Sequence, residues 1–134
     1  MEKAVLLQRL SSEIKGMQFS NAISYLLKEL KIRVVDITDL ANDPESLSYR
    51  CFLRYKNCEI KNLNKRMVIA ICISMRLPLM LSLIMLHNAG FVLTNSLEDA
   101  LLYVILDSCV VFTFEKINKM LKENGFEPLT NKKS

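Results

Sequence analysis

The sequence predicts an all-α fold, and three observations carry that expectation. Apolar residues recur at three-to-four-residue spacing in one segment after another, the pattern of helices that each bury one stripe. Gly and Pro, on which a meander of strands would rely for turns, occur only three times each in 134 residues. Hydrophobic residues make up 51% of the chain against 24% charged, ample material for a core. The length suits one fold unit, since single domains most often run about 100–150 residues.

Taken in order, Glu2–Met17 places Leu6, Leu7, Leu10, Ile14 and Met17 on one stripe and reads as an added N-terminal helix. Ser20–Leu30 repeats the pattern with Ala22, Ile23, Leu26, Leu27 and Leu30, and Ser20 or Asn21 can cap it. A short helix is expected from Asp36 to Ala41, because Asp36 can accept from the amide of Asp39 three residues later. Asn42-Asp43-Pro44 ends that helix, since proline disfavours helical geometry in the residue before it. Pro44 then suits the first position of a following helix, with Asp43 as its cap. Leu47, Cys51, Phe52 and Tyr55 give this helix an apolar face, while Ser48, Tyr49, Arg50, Leu53 and Arg54 form the other.

Lys56–Asn62 is polar and reads as a loop, and Leu63–Met75 is apolar nearly all round, so it belongs at the centre. Met67–Leu86 carries Arg76 as its one charge and is long enough for a membrane span. A central arginine is costly in a bilayer and Pro78 divides the run, so two buried core helices are the better reading. The second of them runs from Pro78 to about Ala89 and stops at Gly90. Asn95 or Ser96 opens the next, with Glu98 and Asp99 in the first turn, where the helix dipole favours acids. Cys109–Phe112 reads as a helix end or tight link. Thr113–Glu123 is the last helix, burying Phe114, Ile117 and Leu121, after which Phe126 and Leu129 fold back and Lys132-Lys133-Ser134 frays. The resulting segmentation is an N-terminal helix at 1–18, a core at 19–77, a C-terminal extension at 78–129 and a disordered tail at 130–134.

Cys51, Cys58, Cys72 and Cys109 show no C-x-x-C pairing and no cleavable signal precedes them, so they read as reduced thiols in the cytoplasm. One histidine, His87, far from any cysteine pair, leaves no zinc pattern. There is no Gly-rich phosphate loop, no G-x-S-x-G and no H-E-x-x-H, so neither an enzyme nor a cofactor is expected. Charge placement says more than the net +4. Arg50, Arg54, Lys56, Lys61, Lys65 and Arg66 fall between Leu47 and Arg66, opposed only by Glu59, and such a cluster attracts a polyanion.

A capped short helix, a turn, a second helix with a basic outer face and then a buried helix are the parts of a helix-turn-helix, in that order. Leu26–Ile32, Asp36-Ile37-Thr38-Asp39-Leu40-Ala41, Leu47–Tyr55 and Asn64–Leu77 together resemble the lambda-repressor-like (XRE-type) family, with Leu40-Ala41 in place of its leucine-alanine pair. Met67–Leu77, Leu86–Leu93, Asp99, Ile117-Asn118, Leu121 and Asn124-Gly125 through Pro128-Leu129 are similar to the helical extension of a group of Firmicutes members. The resemblance implies a lambda-repressor-like helix-turn-helix bundle with extra N- and C-terminal helices. It also implies that Ser48, Tyr49, Arg50 and Arg54 contact base edges of double-stranded DNA, while Lys56, Lys61 and Lys65 contact phosphates. A homodimer would read two half-sites about one turn apart. In that family a glutamine commonly stands where this chain has Ile37, and Cys58 takes the place of its glycine after the recognition helix. Asp36, Asp39, Asp43 and Glu45 crowd the expected DNA approach. These departures motivate a second reading, a degenerate scaffold whose apolar C-terminal helices grip a protein partner. A third uses Glu2–Met17 as an oligomer seam.

Overall fold

A computed structural model describes residues 2–108 and 111–130 of the chain. Among these residues the fold is all-helical: α1 (Glu2–Ile14), α2 (Phe19–Glu29), a 3-10 turn (Val34–Asp36), α3 (Tyr49–Lys56), α4 (Lys65–Ser74), α5 (Leu79–Asn88), α6 (Leu97–Asp107) and α7 (Phe114–Glu123). No helix in them is long and apolar enough to cross a membrane. The Met67–Leu86 run divides at Arg76–Pro78, as its proline requires.

The centre is α4, in which every residue from Val68 to Ser74 is buried, consistent with its lack of a polar face. It packs on α5 and α6, and α5 in turn packs on α1 and α2. On the α1 stripe Leu10 and Ile14 are fully buried, while Leu6 stays exposed. Asn88 of α5 fastens the far end of α1, donating to the Ile14 carbonyl at 2.7 Å and accepting from the Gly16 amide at 3.3 Å. One hydrophobic cluster runs from Leu10 to Leu129, so the three segments read from the sequence share a single core.

Helix ends follow local chemistry closely. Ser48, Asn64, Ser96 and Thr113 each cap the helix that follows with a side-chain oxygen. The start of α2 differs from expectation: Gln18 occupies the cap position without a side-chain bond, and Ser20 and Asn21 lie inside the helix. Five helices close with a left-handed residue followed by a six-to-one amide bond, at Lys31, Cys58, Arg76, Gly90 and Gly125. Three of those positions carry side chains where glycine would be unstrained.

The expected helix at Asp36–Ala41 does not form. Asp36 turns to Arg33, meeting its guanidinium at 2.9 and 3.1 Å, and the Asp39 amide goes to the carbonyl of Leu47 instead. Asp39 itself is left-handed, at φ 51°, which ends any helical course there. Residues 37–48 form a loop held by its own polar groups: Ser46 Oγ accepts from the Leu40 amide, and Asp39 Oδ2 accepts from Tyr49 N at the head of α3. Pro44 and Asp43 likewise do not open α3, which starts five residues later with Ser48 as cap. At the chain end Leu129 and Thr130 are buried, so the expected disorder does not include Thr130; Lys132-Lys133-Ser134 and Cys109-Val110 lie outside the described residues.

Candidate nucleic-acid interface

The basic surface is built on α3, whose two sides are sorted by burial. Phe52 is fully buried under it, beside Leu47, and α3 packs against α2 and the 3-10 turn. Its other side carries Tyr49, Arg50 and Arg54, all exposed; the two arginines are one turn apart and share a face. Among the described residues neither guanidinium takes part in an ion pair. Tyr49, 42% exposed, lines a shallow open depression with Val35, Thr38 and Asp39.

Ser48 sits at the N-terminal edge of this face, where its hydroxyl oxygen accepts from the Cys51 amide at 3.0 Å. One lone pair of that oxygen is thus used in capping, and its second lone pair and its proton are left to face outward. Lys56 is half-buried in the last turn, and Lys61 is exposed in the following loop. Lys65 departs from its expected role. Its ammonium lies 2.7 and 2.8 Å from the two oxygens of Asp99, itself 5% exposed, so the charge serves the α4–α6 junction rather than a phosphate. Arg66 is engaged nearby, by Glu98 and by the carbonyl of Glu127.

Burial sets the titration of the groups around these cations. It pushes the Cys51 thiol up, with Arg54 pulling the other way, so Cys51 stays a thiol at neutral pH. Tyr55 is likewise raised by burial and by Cys51, again against Arg54. At Asp99 burial opposes the charge, but Lys65 and the amide and hydroxyl of Thr94 together outweigh it and hold the carboxyl below its ordinary value. Among the described residues no group of three or more His, Cys, Asp or Glu side chains could hold a metal ion.

Of the acids near the start of α3, Asp39 bears on its approach and Asp43 does not. Asp39, exposed, places its carboxylate on the first amide of α3, where the helix dipole favours it and an incoming phosphate would meet a like charge. Asp43 is 2% exposed and points away from any such approach, onto the N-terminus of α7. The sequence suggested neither partner. Asp-Pro is a strong local capping signal, and the amides Asp43 meets lie 71 and 72 residues away. Asn118 was legible in principle: a polar residue between Ile117 and Leu121 on the buried side of α7 needs internal partners.

Comparison of the chain with family models, curated proteins and solved structures finds no match.

Proposed function

We propose that the chain is a non-enzymatic, sequence-specific regulator that acts on double-stranded DNA in the cytoplasm, laying α3 in the major groove. One observation carries the reading: Arg50 and Arg54 stand together on the exposed side of a helix whose opposite side is anchored by Phe52, and no ion pair neutralises either among the described residues. An arginine fork matches the O6 and N7 of guanine together, and Tyr49 adds a ring at the same surface. Lys56 and Lys61 flank the helix and fit phosphate contacts that set register. Recovering bound fragments from sheared genomic DNA gives the operator, and the R50A/R54A double variant is expected to lose specific retention on it. Unchanged retention removes α3 from the interface.

A homodimer fits this reading. Met80 and Leu83 of α5 and Leu97, Tyr103 and Val104 of α6 are exposed, and Leu83 and Tyr103 line one open depression with Val92. No Asp, Glu, Lys or Arg occurs in α5. A second copy seated on this face would carry a second α3. The L83E/V104E variant should sediment as a monomer where the parent sediments as a dimer.

A second reading is favoured by the loop at residues 37–48, which replaces the first helix of a helix-turn-helix, and by Lys65, which Asp99 occupies. In it the α5–α6 face grips a protein partner and α3 reads nothing. Absence of duplex binding at low salt, with co-purification of a partner that L83E/V104E releases, selects this alternative.

A further inference from the structure

The last described residues are fastened to the loop that leads into α3, and two side chains, Asn118 and Thr130, make the junction. Asn118 of α7 is 4% exposed and uses its whole amide. Its Nδ2 donates to Glu45 Oε1 at 2.9 Å and to the carbonyl and hydroxyl of Thr130 at 3.2 and 2.9 Å. Its Oδ1 accepts from the amide of Leu129 at 2.8 Å, which also fixes which end of the amide is which. Thr130, 3% exposed, passes the connection on by donating its hydroxyl to the carbonyl of Glu45 at 2.7 Å. Two residues earlier on the same loop, Asp43 holds the first two amides of α7.

These bonds have a direction of consequence. α3 packs on α2 and the 3-10 turn, while residues 37–48 have no regular structure of their own. The loop's exit is the head of α3: the Asp39 amide takes the carbonyl of Leu47, and the Asp39 carboxylate takes the amide of Tyr49. A change at Glu45 therefore reaches Tyr49 and Arg50 within a few residues. The attachment lies beside an open groove of about 720 Å³, lined by Glu45, Asn118, Phe126, Glu127 and Pro128.

We propose that residues 126–130 are a strap that holds the entry of the basic helix α3 in place through Asn118 and Glu45, so that releasing the strap loosens α3. The strap is pinned by directional polar bonds, with Leu129 as its anchor at the end of the core cluster, so its release is a local opening that gives up those bonds and that one side chain's burial. Whatever engages the C-terminal end then controls the presentation of Arg50 and Arg54. The effect on duplex binding rests on the reading of α3 as a DNA-contacting helix; the effect on the loop does not.

Hydrogen exchange read by mass spectrometry on the full chain tests the strap, with T130V, which keeps the side-chain volume, and N118A. Amides between residues 37 and 56 are expected to exchange about tenfold faster or more in both variants, as loss of buried hydrogen bonds requires, while α4 keeps its parent rates. Parent rates at 37–56 in both variants overturn the proposal. Should N118A exchange everywhere, T130V alone decides. On the operator recovered from genomic DNA, T130V is expected to bind at least threefold more weakly, and faster exchange with parent affinity overturns the control of α3. If the parent fails to hold any duplex at low salt, the DNA reading falls and the exchange comparison still judges the strap.

Discussion

Replacing Asp43 with alanine is the most informative single perturbation of this fold, because the bonds it removes span the chain. The first four amides of α7 are accounted for one by one. Phe114 N and Glu115 N go to the Asp43 carboxylate at 2.8 and 3.1 Å, Lys116 N goes to Thr113 Oγ1 at 3.2 Å, and Ile117 N goes to the Thr113 carbonyl at 2.9 Å. Water cannot readily replace Asp43, which is 2% exposed beside Phe114 at the same exposure. A lost N-cap costs about 1 kcal/mol, and a buried amide left without a partner about 1–3 kcal/mol, so D43A should destabilise by about 3 kcal/mol. For a chain of this size that is a fall in Tm of roughly 10 °C. D43N keeps one carbonyl oxygen as acceptor and should lose about half as much. Urea titration followed by far-UV circular dichroism reads both, with an unchanged m-value marking a loss of stability alone. A D43A loss under about 0.5 kcal/mol would refute the claim that this carboxylate ties the 37–48 loop to the N-terminus of α7.

Three further outcomes follow from named contacts. The carboxyl of Asp99 is held below its ordinary value, so its contribution to stability is complete above about pH 4 and fades as the pH falls through its folded value. Urea titrations from pH 7 to pH 2 should show a fall for the parent that D99N lacks; equal profiles reject the Lys65–Asp99 clasp. Lys31 is exposed and left-handed at φ 56°, so K31G should stabilise by up to about 1 kcal/mol, and destabilisation would show that the lysine side chain is needed there. The V5E single variant, at a site of α1 that is 62% exposed and outside both α3 and the α5–α6 face, should leave the parent stability within about 0.5 kcal/mol in the same titration, and a larger loss would mean that Val5 belongs to the core.

What could be read from the sequence was what depends on near neighbours. The stripes of α1 and α7, the all-apolar α4, the break at Pro78 and the caps at Ser96 and Gly90 all follow from residues within a turn or two of each other. The orientation of α3 was legible for the same reason, since Phe52 and the arginine pair sit at helical spacing. The segment from Asp36 to Pro44 was misread because its local signals are sound but lose to distant ones. Asp43 is a good cap and does cap a helix, one that lies 71 residues further on. Asp36 finds Arg33, three residues before it, in preference to the Asp39 amide three residues after. Lys65 counted as one more cation of a basic run, and only the packing of α4 on α6 brings Asp99 to it. Cys58 shows the converse: its position was set against a family glycine, and the backbone there does take a left-handed turn, at φ 60°.

Salt dependence of duplex binding by the unmodified chain tests the central claim most directly. Neutralisation of phosphates by two to four cations of α3 and its following loop predicts that log K falls with log salt at a slope of about −2 to −4 per copy, with tight retention at about 50 mM salt. A chain that ignores duplex DNA at that salt, or holds it with an affinity indifferent to salt, contradicts the assignment of α3 as the reading helix.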